Sequence, residues 1–332
     1  MLATESVIMS SKAAAPPLLR IENLEIDLIR KRRRLHIVRG LSLEVHAGQK
    51  IAILGESGAG KSVTARAIAG LLDSRRFETR GDISINGTNI VGFTERQQRN
   101  DVNGVALIFQ DPTRTLNPTM RVGGQIAEAV RAMDKTATKQ QGHDTVVELL
   151  RTVGIADPEQ RYWAYPHQLS GGMRQRVVIA IALALMPTLL LADEATTSLD
   201  VTTQAQIMDL VQDLVRTRDM ALVVITHDIA LAASYVDEIY VMYAGRFVEH
   251  APVGKLIADP RMPYTKALLS AVPGMAGIGL PVAIPGQPPD LGALGNGCPF
   301  RPRCSDAVDQ CDSAEPELRI AEDGRSAACW VC

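Results

Sequence analysis

The first stretch of the chain alternates between apolar and polar residues. Apolar side chains take roughly every second position through 18–29 and again through 35–46, the period of strands with one buried face. The two runs flank a basic block at 30–34 and predict a β-hairpin with a charged tip, most simply a solvated turn. A continuous apolar run at 50–54 predicts a buried strand. After a glycine-rich stretch, residues 62–72 place Val63, Ala67, Ile68 and Leu71 on one face, which predicts a helix. A further strand at 81–86 closes in an Asn86-Gly87 turn. Residues 121–164 read as mostly helical and polar, an inserted helical subdomain reaching to about 170. The apolar stretch 177–192 is broken by Pro187, so it predicts a buried helix ending near Met186 and then a buried strand at 188–192. With strands at 105–108 and 221–226, strand and helix alternate as in a mostly parallel sheet with crossover helices, an α/β fold. Pro and Gly become dense between 273 and 297. The expected organisation is a disordered lead at 1–17, a main domain at 18–260 and a separate C-terminal unit at 261–332.

Composition narrows the function classes. The chain of 332 residues is 46% hydrophobic and 22% charged, which suits a globular protein with a substantial core. A net charge of −2 supplies no global basic field for nucleic acid, and 4% aromatics leave little for a base-stacking surface. The first 17 residues lack the basic start and apolar core of a signal peptide, so a cytosolic location is expected. No internal repeat and no second phosphate loop are present.

Candidate chemistry begins at Gly55, Glu56, Ser57, Gly58, Ala59, Gly60, Lys61 and Ser62, which match G-x-x-x-x-G-K-[ST] between the predicted strand and helix. Glycines there let successive N–H groups face one concavity at the positive end of a helix, the geometry that cradles phosphates. Lys61 is expected to reach the β- and γ-phosphates of a nucleoside triphosphate, and Ser62 to ligate Mg²⁺. Val63 completes the nucleotide-binding segment. The strand at 189–192 runs into Asp193 and Glu194. Asp193 is placed to hold Mg²⁺ through water, and Glu194 to orient or deprotonate the attacking water. A second anion-gripping helix start follows Ser170, with Gly171, Gly172 and Met173. It lies roughly 110 residues from the first, which suggests that it grips the nucleotide of another copy.

These segments resemble an ATP-binding cassette (ABC) ATPase, the motor subunit of ABC transporters, whose signature sequence is the segment from Leu169 to Gly172. The resemblance implies a cassette with a mixed RecA-like sheet core, an antiparallel β subdomain and a helical subdomain, carrying here a small Cys-containing C-terminal extension. It makes Gln110 the Q-loop residue that touches Mg²⁺ and the attacking water. Ser198 and Asp200 correspond to the D-loop, and His227 to the switch histidine at the γ-phosphate. The segments 110–118, 165–169, 241–245, 263–269 and 297–304 are similar to the dipeptide/oligopeptide importer branch, and Met173 to its D-type ATPase subunits. Many members place an adenine-stacking aromatic at the end of the first strand, where this chain has Leu28. The resemblance implies an ATPase on the cytoplasmic face of the inner membrane. Two cassettes would close head-to-tail on ATP and Mg²⁺, with a paralogous ATPase, two permeases and an external solute-binding protein as partners. Nickel, opine or sugar uptake shares this branch. A non-transport ABC ATPase acting on DNA or ribosomes is the alternative class, and it usually carries a long coiled coil or a second cassette that this chain lacks.

All five cysteines lie after residue 297, and Cys298, Cys304, Cys311 and Cys329 have the spacing C-x5-C-x6-C-x17-C. Cytosolic reduction disfavours disulfides, so the four thiols suit zinc, an iron–sulfur cluster, or no metal. The wide gaps favour a [4Fe–4S] cluster, and the branch resembled here includes members with one in this region. Cys332 is the spare thiol.

Overall fold

The computed structural model describes residues 16–30, 33–93, 97, 104–195, 199–274 and 280–332. Most of the expected N-terminal lead, the centre of the basic tip (Lys31 and Arg32) and Ser198 of the D-loop lie outside the described residues. Two sheets organise the rest. The first is antiparallel, in the order β2-β1-β4-β5. It is formed by β1 (Leu19–Arg30), β2 (Arg33–Val45), β4 (Phe77–Ile85) and the short β5 (Thr88–Asn89). The hairpin register runs from Leu19 opposite Val45 to Arg30 opposite Arg33. Asn86 and Gly87 both take positive φ, 50° and 79°, between β4 and β5, the two-residue turn that suits a right-twisted hairpin.

The second sheet holds five parallel strands: β3 (Lys50–Leu54), β6 (Val105–Ile108), β7 (Leu189–Asp193), β8 (Ala221–Thr226) and β9 (Glu238–Tyr243). With β10 (Arg246–Pro252), β11 (Arg319–Ile320) and β12 (Ser326–Ala327) added antiparallel on one edge, its order is β11-β12-β10-β9-β3-β8-β7-β6. Buried on both faces, these strands read as unbroken apolar runs, yet the period of two survives in where the side chains go. Ile51, Ile53, Leu189, Leu191, Val223 and Ile225 enter a core shared with the antiparallel sheet and the helix Lys61–Ile68. Ala52, Leu54, Leu190, Ala192, Leu222 and Val224 enter the opposite core, under the helical region. That region comprises helices Val122–Met133, Lys139–Thr152 and Pro158–Tyr162, packed against one another and, through the first two, on the helix Gly171–Ala184.

Three boundaries differ from the periodicity. The helix after the glycine-rich loop stops at Ile68, so Leu71 is exposed rather than on its buried face, while Thr64 and Ala65 are buried. The apolar helix stops at Ala184, and Met186, with φ of 47°, turns the chain outward before Pro187. Among the described residues no helix is long and apolar enough to cross a membrane.

The third difference is the tail, whose change of composition marks no break in the fold. β12 (Ser326–Ala327) pairs antiparallel with β10 (Arg246–Pro252), and β11 (Arg319–Ile320) with β12, so residues near the C-terminus extend the central sheet. At the junction, Glu249 of β10 is 1% exposed, and its carboxylate accepts hydrogen bonds from the backbone of Arg261 (2.8 Å) and Met262 (3.0 Å). That carboxylate holds the two residues that lead into the helix Pro263–Ser270. Glu249→Ala should cost about 1–3 kcal/mol by orphaning these amides. Chemical denaturation of the variant beside the parent measures this, and a loss under a few tenths would contradict it.

Candidate functional site

The glycine-rich loop begins where β3 ends and is shaped by close backbone approach. A Cβ on Gly55 would lie 2.2 Å from the carbonyl oxygen of Met242, at the end of β9. One on Gly60 would lie 2.9 Å from the carbonyl oxygen of Ile37, in β2. Gly60 also has φ of 108°, which a side chain resists, and it begins the helix Lys61–Ile68 without a side-chain cap. The first N–H groups of the helix thus follow directly on the loop with no side-chain cap from Gly60.

Lys61 is 4% exposed, and its ammonium donates to the carbonyls of Gly55 (2.7 Å) and Glu56 (2.9 Å). Burial lowers its pKa, against the opposing pull of Glu194, Asp193 and Glu56. The Ser62 hydroxyl donates to Asp193 at 2.8 Å. Asp193 ends β7 and is 5% exposed. Burial raises its pKa, with the Ser62 hydrogen bond working the other way. Hard oxygen donors on one edge fit Mg²⁺, which takes few protein ligands and completes its shell with water and phosphate.

Glu194 comes next with φ of 47°, in the left-handed region that non-glycine residues rarely adopt, and its N–H donates to the Ile225 carbonyl at 2.8 Å. This turn aims the carboxylate between two partners. Gln110 donates to one oxygen from its amide nitrogen at 2.8 Å, and Nδ1 of His227 lies 3.3 Å from the other. Residues 110, 194 and 227, set apart in the chain, therefore share one carboxylate beside the Ser62–Asp193 pair. Beyond Gln110, the buried Gln125 braces the next loop, accepting from the Asn117 amide (2.9 Å) and donating to the Asn117 and Met120 carbonyls.

Ser170 caps the helix Gly171–Ala184, its hydroxyl accepting from the Met173 N–H at 3.3 Å. Among the described residues, Ser170, Gly171, Gly172 and Met173 make no hydrogen bond to the phosphate loop, Asp193 or Glu194. They lie instead against the D-loop region: a Cβ on Gly171 would meet Leu199 at 3.4 Å, and one on Gly172 would meet Thr203 at 2.8 Å. Asp200 caps the helix Val201–Thr217 by accepting from the Thr203 amide at 2.9 Å, and its hydrogen bonds from Thr203 hold its pKa low. Gly171 and Gly172 thus share a surface with Leu199 and Thr203, and the Glu194 carboxylate belongs to another group of residues. Leu28 stands half-buried near the outer end of β1, in register with Leu35 and Phe77.

Two contacts to the loop have no counterpart in the sequence pattern. The sequence pattern places Glu56 in the phosphate cradle. Instead its N–H donates to the Tyr264 hydroxyl (2.9 Å), and its carboxylate takes both arms of the Arg303 guanidinium (2.6 and 2.8 Å). Both partners sit inside segments that resemble the importer branch, but nothing in their spacing points to residue 56.

The iron–sulfur site expected at Cys298, Cys304, Cys311 and Cys329 finds no ligand geometry here. Among the described residues, no group of three or more His, Cys, Asp or Glu is disposed to hold a metal ion. The four thiols share a neighbourhood without converging. Burial, then nearby Cys311 and Cys329, push Cys298 up to about 11, and burial raises Cys304. Cys329 is drawn down to about 6, chiefly by the neighbouring Cys332 thiol.

Comparison with known proteins converges with this geometry. The ABC transporter family matches residues 38–197, and the oligopeptide/dipeptide transporter C-terminal region matches 248–311. The dipeptide transport ATP-binding protein DppD of Escherichia coli is 43% identical over 314 residues, 94% of this chain and 96% of that protein. The oligopeptide transport ATP-binding protein OppD of Mycobacterium tuberculosis is 44% identical over 317 residues, 94% of this chain, which spans only about half (52%) of that relative's length. Among solved structures, the ATP-binding cassette MJ0796, a dimer in a post-hydrolysis state bound to ADP and phosphate, superposes with a TM-score of 0.63. The match covers 71% of this chain and 98% of that one at 23% identity, a likeness of fold. With the phosphate-loop motif, Gln110, Glu194 and His227 brought together, and with a relative matched over 94% of this chain and 96% of its own length, this chain belongs to the ATP-binding subunits of ABC transporters, in their oligopeptide/dipeptide branch.

Proposed function

We propose that this chain is the ATP-hydrolysing motor of a multi-subunit importer whose cargo is peptides. The observation that carries the reading is the Glu194 carboxylate held between Gln110 and His227, beside the Ser62–Asp193 pair and the phosphate loop. Lys61 and the N–H groups of the loop neutralise the triphosphate. Mg²⁺, when held by Ser62, Gln110 and Asp193, supplies further charge neutralisation at the β- and γ-phosphates. Glu194 orients the attacking water and accepts its proton, Gln110 fixes the carboxylate from one side, and His227 meets the γ-phosphate from the other.

The second phosphate grip comes from Ser170, Gly171, Gly172 and Met173 of a partner cassette in a head-to-tail dimer, a paralogue or a second copy. The exposure of Ser170 and Gly171 on the D-loop surface, apart from their own chain's carboxylate, supports this arrangement. Closure on two ATP molecules is then the conformational step passed to two permeases, which receive substrate from an external binding protein. The braced loop after Gln110 is the surface offered to a permease, and the protein is peripheral on the cytoplasmic face of the membrane. Peptide as cargo rests on the names of the similar proteins, among them dipeptide and oligopeptide transport subunits. In the tail, an iron–sulfur centre at Cys298, Cys304, Cys311 and Cys329 rests on their spacing and shared neighbourhood. It would be organised by the metal itself, as metal sites that assemble on binding are.

Glu194→Gln should abolish turnover while ATP still binds, because the amide keeps the shape of the site but cannot take the proton. Steady-state hydrolysis beside nucleotide binding measures both, and turnover above about a tenth of the parent rate would sink the role given to Glu194. The specific activity of the isolated chain should climb with its concentration, or on adding a partner cassette; a monomer with constant specific activity would exclude the shared site. Anaerobically purified protein should carry about four irons per chain if the cluster forms, and colourless, iron-free protein sets that proposal aside.

A further inference from the structure

Glu56 lies in the phosphate loop, yet its handles are held largely by the C-terminal tail region. Its N–H goes to the Tyr264 hydroxyl at 2.9 Å, and its carbonyl accepts from Lys61 (2.9 Å) and from the Ala59 amide (3.3 Å). The carboxylate is gripped by both terminal nitrogens of Arg303 at 2.6 and 2.8 Å, across 247 positions of sequence. Such a two-pronged guanidinium–carboxylate pair fixes orientation as well as distance.

Arg303 is itself immobilised before it reaches Glu56. Its side chain is 4% exposed, and its Nε donates to the Pro285 carbonyl at 2.7 Å. One arm also reaches the Tyr243 hydroxyl at 3.3 Å, and the guanidinium lies 5.8 Å from the centre of the Phe300 ring. Gly286, at φ of 72°, brings the backbone so near that a Cβ there would stand 3.2 Å from Cγ of Arg303. The tail thus builds a rigid socket for one arginine and aims it at the phosphate loop.

Charge gives the contact a consequence for the reaction. A carboxylate inside a loop that receives a triphosphate repels its ligand unless it is neutralised and turned away. We propose that Arg303 is a positioning residue for ATP: from the tail, it neutralises Glu56 and holds the first turn of the phosphate loop in its nucleotide-receiving shape. This deepens the ATPase reading and rests on it. The packing of the tail, beyond the cassette proper, then sets the affinity of the nucleotide site.

The test is a double-mutant cycle on the full chain, reading ATP affinity by displacement of a fluorescent nucleotide, together with KM and kcat. Arg303→Ala should weaken ATP binding and raise KM on the order of tenfold, with kcat changed far less, because Glu194, Gln110 and His227 are untouched. Arg303→Lys keeps the charge but not the two-pronged geometry and should fall between. Adding Glu56→Gln to Arg303→Ala removes the unmasked negative charge and should recover most of the lost affinity. A folded Arg303→Ala protein with affinity and KM within about twofold of the parent overturns the proposal. So does a loss that Glu56→Gln leaves unchanged, since bare loosening of the fold would behave that way. If Arg303→Ala does not fold, Tyr264→Phe, which removes the hydroxyl on the Glu56 amide, and Arg303→Lys, which loses the two-pronged grip, carry the test from the other side. There, unchanged KM in both overturns the proposal, and a raised KM with kcat preserved supports it. A parent protein that neither binds nor hydrolyses ATP would fail the ATPase reading as well. A parent that does both, beside an unaffected Arg303→Ala, fails the proposal alone.

Discussion

The phosphate loop can work only if its backbone passes where no side chain fits. Gly55 runs against the end of β9 at Met242, and Gly60 against β2 at Ile37, each leaving less than 3 Å for a Cβ. These contacts come from different sheets, so the loop sits at the seam between them. Its curvature is set by how the antiparallel sheet packs on the parallel one. The core between the sheets, built from Ile51, Ile53, Val223 and Ile225 on one side and Ile21, Ile26, Val38 and Ile83 on the other, therefore shapes the loop from a distance. Buried apolar area of this kind is non-directional, but close packing turns it into a defined backbone path.

A similar constraint governs the Glu194 carboxylate. Sitting at positive φ costs Glu194 on the order of 1 kcal/mol or more. Its amide is tied to β8 at Ile225, so the strand that carries His227 at its end also fixes the turn that carries Glu194. Parallel strands ending on one edge of the sheet put Asp193, Glu194 and His227 beside the loop after β3, the arrangement that makes the carboxyl end of such sheets a site for ligands.

Local signals were legible wherever a local rule decided the outcome. The strand at 50–54, the turn at Asn86-Gly87, the Ser170 cap and the strand at 221–226 each obey a period, a turn chemistry or a capping preference confined to a few residues. The convergence of Gln110, Glu194 and His227 came from resemblance, since no spacing rule brings a glutamine to a carboxylate 84 positions away. Leu71 misled because helical period continues on paper past the point where the chain turns at Gly70. The tail reads as separate in the sequence because composition changes at its start. Composition is blind to the two-residue strand Ser326–Ala327, whose pairing with β10 is what attaches it.

That attachment changes how the tail relates to the cassette. β10 pairs with both β9 and β12, so it carries the tail on one edge and supports on the other the strand whose end presses on Gly55. A second connection runs through the aromatic cluster of Tyr243, Tyr264 and Phe300, ring centroids 4.5 to 5.4 Å apart, which packs tail against cassette immediately behind Glu56. One route is backbone ladder and the other is side-chain packing, and both end on the same loop. Displacing Arg303 alone leaves the ladder intact, whereas losing the β10–β12 pairing would disturb the socket and the sheet edge together. The nucleotide loop of this chain is therefore a joint product of cassette and tail, and its shape reports on both.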